Sequence, residues 1–366
     1  MANNYDLIDL AVKMLAPNNK VMVDDTDMPS IFVWVPKFRL CDVLNTQDTS
    51  VHPAFRVNGT EISGFWCGKY QSKVHGNVAY SLPGEDPTAN INFDTAKSHC
   101  EAKGTAFHLM TAAEWAAIAL WCKKNGTMPK GNNNYGRDHT ESTYKAIPSM
   151  ALDSSNRIQR VATGTGPESW SHDGTAAGIW DLNGNVFEWM GGMRLVNGEL
   201  QIIKDNDAAD HDIPQTATST AWKAIDATTG ALVTPNGSGT TAGTVKLDWV
   251  SGAWKYVTTI TGTTGSNGCK FGAVTADSTI GAAAKLLLQA LAMLPEADTT
   301  TADYGEDHFY ANNAEAERVL GRGGSWNSTS YAGVFSSYLR NGRTSSNDSF
   351  GFRCSALDPA DLGTVD

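Results

Sequence analysis

The stretch HLMTAAEWAAIALWCKKNG, residues 108–126, can settle into little but a helix with both ends marked. Thr111 and Glu114 stand at capping-box spacing, so each side chain satisfies a free amide at the helix start. Trp115, Ile118, Ala119 and Cys122 recur at i, i+3, i+4 and i+7 and form one apolar stripe to bury. Gly126 stops the helix. A helix this apolar needs a body to pack on, and the rest of the chain must supply it.

Short strands and turns surround it. Ile31–Val35 (IFVWV) is a β-branched and aromatic run before Pro36, hence a strand. Ala54–Val57 and Ile62–Tyr70, joined through Asn58-Gly59, read as a hairpin or strand pair, because Asn-Gly is the preferred two-residue turn. INFDTAKSHCEAKG gives a second helix from about Asp94 to Lys103, capped by Asn92 or Asp94 and ended by Gly104. Asp6–Leu15 gives a short amphipathic helix before Pro17. Turn residues dominate up to about Ala177, an ordered loop. In GIWDLNGNVFEWMGGMRL, residues 178–195, Asn183-Gly184 reads as a hairpin turn between Ile179-Trp180 and Val186–Trp189. ERVLGRGGSW and FGFRC read as two late strands.

Between Val196 and Asn312 the texture changes, with a Thr-, Ala- and Gly-rich stretch at 214–245. VKLDWVSGAWKYVTT reads as a hairpin turning at Ser251-Gly252, and TIGAAAKLLLQALAML as a helix ending before Pro295. The expected organisation is an N-terminal helical extension at 1–29, one domain from 30–195 and 311–366, and an insertion at 196–310. An independent second domain at 196–310 is the alternative, although its apolar content is thin for a separate core.

Several function classes are excluded early. The net charge is −11 with Lys and Arg dispersed, which argues against nucleic acid. No apolar run reaches membrane-spanning length. The start, MANNYDLIDLAVKMLAPNNK, has no basic segment followed by an apolar one, so an export signal is not expected. The six cysteines show no C-x-x-C pair and read as reduced, buried thiols. The eight histidines show no paired spacing, so no transition-metal cofactor is expected.

Between Gly323-Gly324-Ser325-Trp326 and Gly351-Phe352-Arg353 lies a stretch crowded with Ser, Asn, Thr, Tyr and Arg. Its apolar residues Ala332, Val334, Phe335 and Leu339 read as fixed scaffold, with the polar residues facing solvent. Rigid Tyr, hydrogen-bonding Arg and small adaptable polar residues are the chemistry of a binding surface. The candidate contact residues are Asn327, Ser328, Thr329, Ser330 and Tyr331, then Ser336, Ser337 and Tyr338, then Arg340 and Asn341. Arg343, Thr344, Ser345, Ser346, Asn347, Asp348 and Ser349 complete the set. A plain solvated loop is the bland alternative.

T-A-A-E-W, G-I-W-D-L-N-G-N-V-F-E-W, R-G-G-S-W and G-F-R-C follow one another in the order found in the formylglycine-generating-enzyme branch of the C-type lectin fold, which the chain resembles over 30–195 and 311–357. The resemblance implies an α+β domain with two helices, a small antiparallel sheet and long ordered loops. In that family two cysteines between the last two motifs hold copper and do oxidase chemistry. From Gly321 to Arg353 this chain has none, and Cys354 falls where the fold has a core strand. The E-P-N, Q-P-D and W-N-D triplets of calcium-dependent lectins are absent too. A structural Ca²⁺ near Asp181, Asn183 and Asn185 stays open against a plain turn.

The chain also resembles the variable proteins of diversity-generating retroelements, which randomise template adenines at the end of a gene for this same fold. Asn codons of the AAY type can then become any codon ending in a pyrimidine, which excludes Lys, Glu, Gln, Met and Trp. None of these five occurs between Asn327 and Phe350. The resemblance implies a receptor-binding protein rather than an enzyme, directed at a cell-surface protein or glycan. Its carrier would be a phage tail fibre tip assembled in the bacterial cytoplasm, or alternatively a cell surface. Whether it forms a homo-oligomer stays open.

Overall fold

The computed structural model describes residues 5–358, 360 and 361; the outermost parts of the 1–29 and 311–366 segments lie outside them. Its helices are α1 (Asp6–Leu15), the single turn α2 (Leu40–Val43), α3 (Phe93–Glu101), α4 (Ala112–Asn125) and α5 (Ala282–Ala290). The two helices expected of the fold are α3 and α4. Asn92 caps α3 by accepting from the Thr95 amide at 2.9 Å. Thr111 and Glu114 exchange amide bonds of 3.1 Å at the start of α4, and Gly126 ends it at φ 67°. The single stripe expected of α4 is exceeded. Every residue from Ala112 to Leu120 is buried, because α2, α5 and the strands Phe187–Val196 and Gly333–Leu339 pack around it. On α1 the face toward the body is polar, with Asp9 accepting from the Val21 amide at 2.8 Å, while Leu7, Leu10 and Met14 point outward.

The small antiparallel sheet has five strands in the order Asn19–Val23, Pro29–Pro36, Gly64–Gly68, Cys354–Leu357, Phe107–Leu109. A second, mixed sheet of twelve strands is centred on Phe187–Val196 and Arg318–Gly323. Segments between 196 and 310 extend it: Glu199–Ile202 pairs with Phe187–Val196, and Lys246–Val250 pairs with Ala253–Val257 through the Ser251-Gly252 turn. The Asn58-Gly59 turn, both residues at positive φ, joins the two-residue strands Arg56–Val57 and Thr60–Glu61. Among the described residues no helix is long and apolar enough to cross a membrane.

Two expectations fail here for physical reasons. Asn183-Gly184 is not a hairpin turn. Trp180 bridges to Ser171, and Phe187–Val196 pairs with other strands. Asn183 and Asn185 instead spend their side chains on neighbouring loops, so the local turn signal is overridden by tertiary hydrogen bonds. FGFRC is not one strand either. Phe350–Phe352 pairs in parallel with Phe187–Trp189, and Cys354–Leu357 crosses into the five-stranded sheet.

Arg353 sits at that crossover, fully buried. Its guanidinium bonds both carboxylate oxygens of buried Glu188, at 3.0 and 2.8 Å, and the carbonyls of Gly68 and Trp180. Gln71 donates to Glu188 and to the carbonyls of Asp181, Gly184 and Val186. Breaking such a pair leaves a buried charge unpaired. Arg353→Met should therefore cost roughly 3–5 kcal/mol in urea unfolding. Adding Glu188→Leu to it should recover part of that loss; a double variant as unstable as the single one would mean that Glu188 is not paired through Arg353.

Two buried imidazoles couple the fold to pH. His52 accepts from the Ala54 amide at Nδ1 and donates from Nε2 to the Ala290 carbonyl at 2.7 Å, tying the turn before Phe55 to α5. His172 accepts from the Ile179 amide at 2.8 Å and packs against Trp121. Burial depresses both to about 4. The unfolded chain takes these protons near pH ~6.5, so it binds more protons than the fold in the window below that value. The contribution of these two groups is thus full above pH ~6.5 and is lost toward pH ~4, while the buried carboxyls of Asp181 and Asp307, raised by burial, act in the opposite direction. As the pH is lowered from ~6.5 to about 4, the melting temperature of His52→Gln should rise relative to that of the wild type; a constant difference between the two would mean that His52 does not titrate with unfolding.

Candidate functional site

The polar stretch is framed by backbone. Gly323 and Gly324 adopt φ 88° and 87°, and a Cβ on Gly324 would lie 2.4 Å from that of Ala332. The Gly184 amide donates to the Gly323 carbonyl and the Trp326 amide to that of Asn185, so the G-N-V-F-E-W and R-G-G-S-W segments are sewn together. Trp326 and Phe352 are buried, as are Ala332, Val334, Phe335 and Leu339.

Inside the stretch is a strand the sequence reading missed. Gly333–Leu339 lies antiparallel to Arg318–Gly323 and parallel to His308–Asn312. Ser336 and Ser337 therefore do not face solvent; both are buried. In an interior strand both faces are covered, and polarity alone does not place a serine outside. Ser337 Oγ accepts from Arg322 Nη1 at 2.5 Å and donates to the Phe335 carbonyl at 3.2 Å. Arg322 is itself fully buried and donates to the carbonyls of Leu291 and Ala292 at the end of α5. Burial pushes its guanidinium down to about 9, with Tyr256 and Asp307 acting the other way.

The remaining candidates split into groups. Asn327, Thr329, Tyr331, Arg340, Thr344, Ser346 and Asp348 are exposed; Ser328, Ser330, Tyr338, Asn341, Ser345, Asn347 and Ser349 are half-buried. The path of the chain here is fixed mainly through its backbone. The Thr329 amide donates to the Asn133 carbonyl at 2.7 Å, and the carbonyls of Asn341, Arg343 and Asn347 accept from the amides of Val319, Phe93 and Asn90. The carbonyls of Asp348 and Ser349 accept from Arg160 and the Phe187 amide. Among the side chains, Ser328 and Asn347 accept from groups two or three residues away, whereas Arg343 reaches across the fold. It clamps Glu317 at 2.8 and 3.0 Å, Asp94 at 2.6 Å and the Gln215 carbonyl at 2.9 Å, a structural role rather than a displayed one.

Tyr331, Tyr338 and Arg340 are brought together, and two residues outside the expected set join them. The Tyr331 ring stacks on His308 at 3.7 Å between centroids, His308 meets Tyr310 at 4.9 Å, and Tyr310 meets Tyr338 at 5.8 Å. Tyr338 in turn packs on Phe187 at 4.9 Å and Phe350 at 5.4 Å. The Arg340 guanidinium lies 5.9 and 5.8 Å from the rings of Tyr310 and Tyr338. Gly321 makes room beneath, since a Cβ there would lie 2.7 Å from Phe350. The alternation in HFYAN (308–312) was the available signal for His308 and Tyr310, but it lay at the edge of the 196–310 segment.

Elsewhere most of the donors for other chemistries are committed to the fold. Asn183 and Asn185 bond Asn133, Asn132, Gln71 and backbone, and Asp181 accepts from the Gly164 amide. Burial pushes Asp181 up to about 6, and its Oδ1 is buried without a hydrogen-bond partner. Among the described residues no group of three or more His, Cys, Asp or Glu could hold a metal ion. Of the cysteines, Cys41 is only half-buried, unlike the other five. Burial raises the thiols of Cys67, Cys100, Cys122 and Cys269, away from the nucleophilic thiolate.

Residues 18–211, just over half of the chain, match the family model of the sulfatase-modifying factor enzyme 1-like domain. No curated protein matches. Among solved structures, Treponema denticola variable protein 1 is similar at 13% identity and TM-score 0.34, over 93% of this chain and 99% of that one. The U1 and P3c variants of Major Tropism Determinant are similar at 12% and 13% identity, with TM-scores of 0.31 and 0.32. Each match covers 92% of this chain and 64% of the other, so this chain spans less than two thirds of their length.

Displayed and buried positions should respond oppositely to substitution. Changing Thr329, Tyr331 and Arg340 together to Ala should cost within about 0.5 kcal/mol per site. Trp326→Ala should cost roughly 3–5 kcal/mol, and Ser337→Val, which strips a partner from Arg322 and adds volume, roughly 1–3 kcal/mol. Urea unfolding of the four proteins decides it; a polar triple variant less stable than Ser337→Val would make the loop itself part of the core.

Proposed function

The chain belongs to the family of sulfatase-modifying factor enzyme 1-like domains, and from that premise we propose that it is a ligand-binding member, a variable protein of a diversity-generating retroelement, and not an oxidase. The observation that carries the reading is the division of labour at residues 327–349. Backbone groups fix the path of the chain, while most of the polar side chains remain open to solvent or half-open. Side chains that do not hold the fold can change without unfolding it, which is what a diversified surface requires. The absence of Lys, Glu, Gln, Met and Trp between Asn327 and Phe350 fits adenine-directed change of AAY codons.

The oxidase alternative asks for two thiolates between R-G-G-S-W and G-F-R, and that segment contains no cysteine. The target proposed is a macromolecule on a cell surface, met through Tyr331, Tyr338, Arg340 and their exposed neighbours. Central Tyr and Arg residues typically carry most of the energy of such contacts. The carrier proposed is a phage tail fibre tip, with a cell surface as the alternative.

Three measurements test this. The adjoining DNA should hold a reverse transcriptase gene and a near-copy of codons 321–353 that differs only at adenines. Changing Tyr331, Tyr338 and Arg340 to Ser should abolish binding to receptor-bearing cells while the protein stays folded. Copper-loaded protein should not convert cysteine to formylglycine in a sulfatase-type peptide; turnover would restore the oxidase reading.

A further inference from the structure

We propose that His308 and Tyr310, which lie outside the 327–350 segment, are constant anchors of the binding face, and that the partner they fit is a folded protein surface. The inference rests on the binding function proposed above and adds residues that the diversified segment does not contain.

Both rings come from the strand His308–Asn312, which runs parallel to Gly333–Leu339 with Tyr310 opposite Tyr338. Substitutions confined to 327–350 change Tyr331, Tyr338 and Arg340 and leave this strand as it is. The two rings nevertheless sit between those side chains. His308 is stacked under Tyr331, and Tyr310 links it to Tyr338 with Arg340 close to both tyrosines. Whatever replaces Tyr331 or Tyr338 therefore lands against a fixed aromatic surface.

The backbone is shaped for these rings. Gly268 lies across the strand pair from Tyr310, and a Cβ there would come within 2.4 Å of the Tyr310 ring. Only glycine lets the ring lie down at that point. His308 Nδ1 is buried with no hydrogen-bond partner. Burial also keeps the imidazole below its usual range, which favours a neutral flat ring near pH 7.

The chemistry favours protein over sugar. Four linked aromatic side chains with an adjacent guanidinium match the aromatic- and Arg-rich centre of protein interfaces. Arg340 has no ion pair among the described residues, so its charge is open to a carboxylate or carbonyl of a partner.

The test compares two display libraries of the full chain, each randomised at Asn327, Thr329, Tyr331, Arg340, Thr344 and Ser346. One keeps His308 and Tyr310; the other carries His308→Ala and Tyr310→Ala. Both are selected against purified lysozyme and, separately, against dextran. The expected result is lysozyme binders from the first library, with dissociation constants about tenfold or more below the best of the second, the scale of one lost aromatic anchor. Equal affinities from the two libraries would overturn the anchor role. Enrichment of the first library on dextran alone would overturn the protein partner. Failure of both libraries on every target would instead defeat the binding function on which the inference rests. Because Tyr310 also covers Gly268, a His308→Leu, Tyr310→Leu scaffold runs alongside. It keeps that cover without the rings, and lysozyme affinities matching the unmodified scaffold would overturn the proposal even if the Ala scaffold does not fold.

Discussion

A buried charge pair sits where the chain passes between the two sheets and helps to hold them together. The chain leaves the larger sheet at Phe352 and enters the smaller at Cys354, and the residue between them, Arg353, bonds Glu188 near the start of the strand Phe187–Val196. Gln71 joins the same carboxylate and holds three carbonyls of residues 181–186 in place. From there the hydrogen bonds run outward. Gln71 accepts from Asn185, Asn185 accepts from Asn132, and the neighbouring Asn133 carbonyl accepts from the Thr329 amide. The outermost loop is thus reached in four steps from a site with no access to water. In a medium of low dielectric such links are strong when every member is satisfied and costly when one is removed.

This arrangement separates two demands that usually compete. Order in a loop normally comes from its own side chains, which then cannot change. Here the bonds fall mostly on main-chain groups, whose chemistry is the same for nearly every residue type. Arg343 departs from this rule, since its side chain joins Glu317 and Asp94. Change at 343 would act on the anchoring of the loop as well as on its surface.

Local signals with a local mechanism were legible. The Thr111–Glu114 box, the Asn58-Gly59 and Ser251-Gly252 turns and the end of α4 at Gly126 depend on residues close in sequence. The buried aromatics of the framing motifs, Trp326 and Phe352, were legible from composition and order. What escaped was set by distant partners. Asn183-Gly184 has the form of a hairpin turn but answers to loops around residues 129–133 and 161. Ser336 and Ser337 look like surface until Arg322, donated by another strand, is placed beside Ser337. His308 and Tyr310 enter the candidate site through a parallel strand pairing, and no pattern within 308–312 states which strand will lie alongside.

Ser337 belongs to the stretch proposed to diversify, yet it lies in the core beside a buried guanidinium. A bulky side chain there must displace either itself or Arg322, and with Arg322 goes the link to the end of α5. On the proposed reading, diversity at this position would be filtered before any target is met. Molecules that drew an unsuitable residue at 337 would then drop out during folding, and the repertoire reaching the outside would be narrower than the one written in the codons. The fold acts as a first round of selection, blind to the target and strict about volume.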